Sequence, residues 1–400
     1  METKNDEFRR SKAYVPGRTP IGEIRGFGRG FEVLMRVLMA DPGNQYIADL
    51  AHLAARTLWQ SPLLDERGFH AAAGGMPARE LSPNVLKYME AQGLTFTRSG
   101  DHVETLKKGD RTWPVRAFGG TWQHVYIQNG AELYASHFGD EDMHDFTVAF
   151  AEMSARYMLS PKCHQTWYYT YFDVPDIGVV FDPWAFDHTA TADGLGCAHS
   201  GWYTRFYPDA CAKGYSLTGE RRLLERAREF WAYGSKREYQ TKQPSAGPNQ
   251  VGIFASHKPP KDDQVLSVSR LFYEFSHPRK DDRPPAAVTD LAVRLLGDGR
   301  AEVRFTAPAD AGGGRVVRYQ VKVSTLPIVA YEEWEYARDL GAKRNWWRAD
   351  NCRGEPAPST AGTVEKFVVT GVPTGQTLHF AVRSFDDSGN RSAISNMVHP

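Results

Sequence analysis

The sequence predicts a protein of two classes joined end to end, α-helical hairpins over residues 24–277 and a β-sandwich over residues 284–400, behind an N-terminal extension of residues 1–23. Three observations predict it. An apolar pattern of helical period recurs over 24–60, 119–158 and 198–235, each copy the length of a helix-turn-helix repeat. From Arg283 onward the period shortens to two, in short runs separated by Gly, Pro and Asp. Finally, 400 residues that are 41% hydrophobic and 24% charged are long enough for two or three domains and apolar enough to bury a large core.

In the first copy Phe27, Phe31, Leu34 and Leu38 form one stripe, Asp41-Pro42-Gly43-Asn44 a turn, and Tyr46, Ile47, Leu50, Leu53, Ala54 and Leu58 a second stripe. The second copy runs through Trp122, Tyr126, Leu133 and Tyr134, turns at Gly139-Asp140 and resumes with Phe146, Val148, Ala149, Met153 and Tyr157. The third runs through Tyr203, Phe206, Ala210 and Tyr215, turns at Thr218-Gly219-Glu220 and resumes with Leu223, Leu224, Ala227, Phe230 and Trp231. Each turn offers a Gly for a left-handed C-cap and an Asp, Glu or Asn beside the positive start of the next helix. The connections between hairpins, 61–118 and 159–197, are long while those within them are short, which sets the long segments at one end of the array. Alternation over 102–106 and 112–116 predicts a β-hairpin in the first connection, and one more helix is expected around 263–275. In the last 115 or so residues, the usual size of a sandwich, strands are expected at 288–295, 301–305, 316–324, 364–370 and 378–382.

Several function classes are excluded by the same sequence. Its 48 Lys+Arg balance 48 Asp+Glu, so neither nucleic acid nor an anionic membrane is an expected partner. No run approaches the roughly 20 apolar residues of a membrane span, and the polar N-terminus lacks the apolar stretch of a signal peptide. Cys163, Cys197, Cys211 and Cys352 are too few and scattered for a disulfide scaffold; they are expected as small buried hydrophobes, although an even count permits pairing. No Walker loop, GxSxG or HExxH occurs, and the glycines at 26, 28 and 30 follow no strand, so nucleotide, serine-hydrolase and zincin chemistry lack support. No cofactor is expected; His188, Asp193, Cys197 and His199 can hold a divalent metal, at a spacing that matches no standard zinc pattern.

The C-terminal segment resembles a fibronectin type III domain in PAAVTDL at 285–291, VRYQV at 317–321 with its core Tyr319, LHFAVR at 378–383 and DDSGNRSAISN at 386–396. Phe305 stands where that family usually has a core Trp, and 327–362 is a large insertion. Its Trp334, Trp346 and Trp347 suit either a sugar-stacking platform or a flap packed on the helical domain. The three hairpins resemble the repeats of (α/α) toroid enzymes acting on carbohydrates, which include polysaccharide lyases and unsaturated glucuronyl hydrolases; the Thr218-Gly219-Glu220 turn followed by Leu224 and Ala227 is the best example. A complete toroid has more hairpins, so the resemblance implies an incomplete, arc-shaped array or the C-terminal part of a longer protein.

In such toroids the first helix of each hairpin lines the inside, with its N-terminal end facing the cleft. Applied to this sequence, the resemblance nominates Arg25 and Arg29, then Trp122, Gln123, His124 and Tyr126, then His199, Trp202, Tyr203 and Arg205. Arginines can hold a uronate carboxylate bidentately. Tyr203, His199 and His124, with Arg205, are the expected catalytic set for proton transfer, and Trp122 and Trp202 offer flat faces to sugar rings. Aromatics at this spacing serve equally well as core. The connection from Tyr168 to Asp193, dense in aromatics and carboxylates, adds Asp187 as a substrate-binding residue, and with Asp182 and Asp193 supplies the carboxylates of a hydrolase. The resemblance thus implies a carbohydrate-active protein that degrades an acidic, uronate-containing polysaccharide by β-elimination outside the cytoplasm, in the extracellular space or periplasm. A glycoside hydrolase on the same scaffold and a non-catalytic glycan-binding or scaffold protein are the alternatives.

Overall fold

The structure, a computed structural model, describes residues 24–61, 64–69, 76–77, 90–91, 93–99, 102–114, 118–119, 121–157, 170–174, 179–181, 206–235 and 269–400. It combines α-helices with mainly antiparallel sheets in two compact units. One comprises Met1–Cys211 and Arg226–Arg270, the other Ala212–Glu225 and Leu271–Pro400.

The helices fall where the turns predict them. Helix α1, Ile24–Ala40, is followed by α2, Gln45–Trp59. Between them Asn44 N donates to Asp41 O at 3.1 Å, and the Asn44 side chain caps α2 by accepting from Ile47 N at 3.2 Å. Gly43 keeps a negative φ here, against the expected left-handed cap, because Pro42 already fixes a tight turn over residues 41–44. The other two turns do use the left-handed glycine: φ is +66° at Gly139, between α3 (Thr121–Phe138) and α4 (Glu141–Tyr157), and +71° at Gly219, between α5 (Phe206–Thr218) and α6 (Arg221–Ser235). Helix α5 starts at Phe206, eight residues into the third copy; Pro208, which lacks an N–H, sits in its first turn, where no helical partner is needed. Helix α7 is Ser269–Ser276.

Burial corrects the apolar stripe of α2. Ala48, Ala51, Ala55 and Leu58 face inward, while Tyr46 and Leu53 are exposed. Short alanine side chains let helices approach closely, and that packing outweighs the greater apolar area of the larger residues. Helix α4 is buried from Met143 to Ala155, including Asp145, Thr147, Glu152 and Ser154, apart from the half-buried His144. Such a helix is surrounded by protein and does not line one face.

Short strands fill the connections. Strands β1 (Leu64–Asp65) and β2 (Gly68–Phe69) form a small hairpin. Strand β3 (Met76–Pro77) and β4 (Thr95–Ser99) flank β5 (His102–Lys108), which also pairs with β6 (Arg111–Pro114). The predicted hairpin is therefore part of a larger sheet. Strand β7 (Phe118–Gly119) pairs with β8 (Thr170–Val174), and β8 with β9 (Val179–Phe181), a sheet that alternation had not revealed.

In the second unit the strands are β10 (Ala292–Gly297), β11 (Arg300–Thr306), β12 (Val316–Ser324), the short β13 (Ile328–Val329), β14 (Arg344–Asn345) and β15 (Asp350–Asn351), then β16 (Val364–Thr370) and β17 (His379–Asp386). Six of them make two three-stranded sheets, ordered β10-β11-β16 and β15-β12-β17, around one core that includes Val303, Phe305, Tyr319, Val321, Val369, Phe380 and Val382, while β13 and β14 form a separate parallel pair. Phe305 meets Tyr319 edge-on inside this core, with ring centroids 4.9 Å apart. The first run becomes a strand only at Ala292, because the backbone before it bonds elsewhere: Leu291 N donates to Asn396 Oδ1 at 2.9 Å and Asn396 N to Val288 O at 3.2 Å. Trp334, Trp346 and Trp347 of the insertion are 0%, 2% and 3% exposed, so they present no ring face for stacking a sugar.

Candidate functional site

The nominated cleft end begins with the packing of α1 on α3. Gly28 lies against Ile127, where a Cβ would come within 2.9 Å of the Ile127 backbone N, and Gly130 lies against Phe31, where a Cβ would come within 2.7 Å of the ring. Glu32 accepts from Asn129 at 3.1 Å, and further along Phe31 meets the Tyr134 ring with centroids 5.9 Å apart. Both helices therefore advance together, parallel, and their N-termini lie at one end. The glycines at 28 and 130 permit this approach. Gly130→Ala is expected to destabilise the protein by about 1–3 kcal/mol, through overpacking of Phe31, in chemical denaturation followed by circular dichroism.

One turn in from that end, the exposed Arg29 donates to the Tyr126 hydroxyl at 3.0 Å, and its guanidinium carbon lies 4.7 Å from the centre of the same ring. Tyr126 is itself buried. Neither α1 nor α3 has an acidic residue in its first turn, in contrast to Glu141 and Asp142 opening α4 and Asp209 opening α5. The positive ends of two helix dipoles and an arginine thus share one region. Chemically the arrangement suits a carboxylate, which a guanidinium can hold through paired hydrogen bonds.

Of the other nominated residues, Arg25 lies in the first turn of α1, and Trp122, Gln123 and His124 in the first turn of α3. Their positions are on the same end as Arg29 and Tyr126. Asp187, His199, Trp202, Tyr203 and Arg205, together with Asp182, His188, Asp193 and Cys197, lie outside the described residues. Cys211 and Cys352 are buried, while Cys163 also lies outside the described set.

Two polar clusters have no sequence signature. His52 Nδ1 lies 2.6 Å from the Tyr134 hydroxyl, joining α2 to α3. Burial, reinforced by Asp140, raises that phenol to about 12, so the tyrosine stays neutral at physiological pH. In the second unit Glu220 bonds both Arg391 and Arg222, and Arg222 also reaches Glu332 at 3.3 Å. Burial alone would raise the Glu220 carboxyl; the guanidiniums of Arg391 and Arg222 outweigh it and hold the group down at about 2. Arg391 N further donates to Thr218 O at 2.8 Å. Arg279 spans the same region, donating to Tyr215 O at 2.7 Å, Ser216 O at 2.6 Å and Ser388 O at 2.6 Å. The turn at Gly219 is thereby fixed to the DDSGNRS segment. Partners 171 positions apart leave no periodic trace that sequence reading can follow.

No protein-family model matches the chain, and no curated protein matches it. No described helix is long and apolar enough to cross a membrane.

Proposed function

We propose that the helical unit is an (α/α) toroid-type array that degrades an acidic polysaccharide by β-elimination at a uronate, and that the second unit is a fibronectin type III-like sandwich. The observation that supports the reading best is Arg29 held over Tyr126 where two parallel helix N-termini coincide. In β-elimination a base removes the proton at C5, the C4–O bond breaks toward the leaving sugar, and a double bond conjugated with the carboxyl group forms. The leaving oxygen regains a proton. Negative charge builds beside the carboxylate during this step, and fixed cationic groups that already face it lower the barrier. Arg29 takes the role of carboxylate clamp, with Arg25 one turn away on the same helix. Tyr126 keeps the guanidinium in place through the hydroxyl and the ring face. Tyr203, His199 and His124 are the proposed proton carriers, aided by Arg205; Trp122, Trp202, Gln123 and Asp187 complete the sugar contacts. The polysaccharide is the proposed partner, met outside the cytoplasm.

The test is product analysis after the chain has been incubated with uronate-containing polysaccharides. Mass spectrometry is expected to find oligosaccharides one water lighter than their hydrolysis products. Fully hydrated oligosaccharides would transfer the role to a carboxylate pair and a hydrolase, and an unchanged polymer that nonetheless binds would favour a glycan-binding protein.

A further inference from the structure

One face of the second unit is basic, although residues 284–400 carry nearly equal numbers of basic and acidic side chains. In the sheet β10-β11-β16, Ala301, Val303 and Phe305 of β11 and Val369 of β16 belong to the core. The residues that alternate with them therefore point outward. Strand register sets these in three rows. Ala292, Arg304 and Lys366 lie side by side, then Arg294, Glu302 and Val368, then Gly297, Arg300 and Thr370, with Arg353 bridged to the far side of Thr370. Arg294, Arg300, Arg304, Arg353 and Lys366 are all exposed on this one face. Two residues along a strand span about 7 Å and neighbouring strands lie about 5 Å apart, so the cations spread over about 14 Å in each direction.

The acidic groups on or beside this face fall short of the basic ones. Glu302 is the one carboxylate within the three rows, and it is shared: it accepts from Arg294 at 3.2 Å and lies 3.5 Å from Lys366 Nζ. Asp298, in the turn between β10 and β11, comes only within 3.9 Å of Arg300. Asp290 is committed to Thr306, accepting from its N–H at 3.0 Å and its hydroxyl at 2.6 Å. Arg304 and Arg353 form no ion pair with any described residue. Arg304 also stands directly opposite Lys366. Like charges at opposed positions destabilise a strand pair, so the face holds a repulsion that an anionic ligand relieves. Val364 and Val368, 52% and 43% exposed, add apolar ground between the charges.

We propose that this face binds the acidic polysaccharide as a second, non-catalytic site. The assignment rests on the uronate reading of the helical unit and deepens it, giving the protein a place to hold the polymer between cleavages. An extended chain bearing a carboxylate at regular intervals meets several cations in turn as it crosses the face, and each guanidinium can take a carboxylate through paired hydrogen bonds. Retention there raises the effective concentration of the same polymer at any other site of the protein that it can reach. The three rows contain no aromatic ring, so the stacking platform that holds single-stranded nucleic acid is missing from them.

The experiment measures retention of the full chain, carrying Arg29→Ala to suppress turnover, on immobilised polygalacturonate and alginate. Binding is expected, and it should fall steeply as salt rises from about 50 to about 200 mM. Adding Arg304→Gln and Lys366→Gln together is expected to weaken it about tenfold, through the loss of two charge contacts. The melting temperature should not fall, because the opposed cations are gone. Arg300→Gln with Arg353→Gln, in the last row, is expected to act likewise and serves where the first pair fails to fold. Methyl-esterified polygalacturonate, which keeps the sugars and loses the charge, is expected to bind no better than a neutral glucan. No retention on either acidic polymer, unchanged binding in both pairs of variants, equal binding of the methyl ester, or single-stranded DNA held as strongly would each overturn the site. The site and the lyase reading fail separately. Cleavage that persists in the native protein while the face variants bind normally removes the site and keeps the lyase; salt-sensitive binding that the face variants lose, with no cleavage by the native protein, keeps the site and removes the lyase.

Discussion

Arg391→Ala is expected to lower the free energy of unfolding by about 3 kcal/mol, one of the two largest effects anticipated for a single substitution in this protein. The arginine side chain is 6% exposed and its partner Glu220 20% exposed, so truncation leaves a largely buried carboxylate without its main counter-charge. Glu220→Gln keeps the shape and removes the charge, leaving Arg391 with a neutral acceptor, and is expected to cost less. The double variant should recover part of the Arg391→Ala loss, since the stranded charge is gone. The pH dependence follows from the same pair. Because the Glu220 carboxyl is held at about 2 in the folded chain against 4.5 when free, its stabilisation is complete above pH 4.5 and is lost as pH falls toward 2. Urea denaturation across that window should show the slope in the native sequence and a shallower one in Glu220→Gln.

The second large effect is on activity. Arg29→Ala is expected to reduce turnover of a uronate polysaccharide about 100-fold, the usual consequence of removing one charge-stabilising donor. Arg29→Lys should recover only part of this, because an ammonium cannot make the paired hydrogen bonds of a guanidinium. Arg29 is exposed on a helix surface, so its stability change should stay within about 1 kcal/mol, separating a lost function from a lost fold. Circular dichroism of the variant checks this directly.

What could be read from the sequence was local. The helix-turn-helix boundaries followed from Gly139 and Gly219, whose positive φ only glycine adopts without strain, and from the polar residue after each. Gly43 shows the limit, since a neighbouring Pro42 changed which turn formed without moving the helices. Which face of a helix goes inward was less legible: α2 buries its alanines because close approach to its neighbours, and not hydrophobicity residue by residue, decides the contact. Arg29 and Tyr126 were both nominated, yet their contact depends on α1 and α3 being parallel, a relation between segments nearly 100 residues apart. The Glu220–Arg391 pair was invisible for the same reason. Their chemistry resides in distances that the fold creates.

The most direct measurement of the proposed function is ultraviolet absorbance during incubation of the chain with a panel of uronate-containing polysaccharides, run beside Arg29→Ala. Conjugation of the new double bond with the carboxyl group absorbs, and hydrolysis creates no such bond. A steady rise with one class of substrate, nearly abolished in Arg29→Ala, is the result predicted here. A flat trace across the panel, or a rise that Arg29→Ala leaves intact, would contradict it.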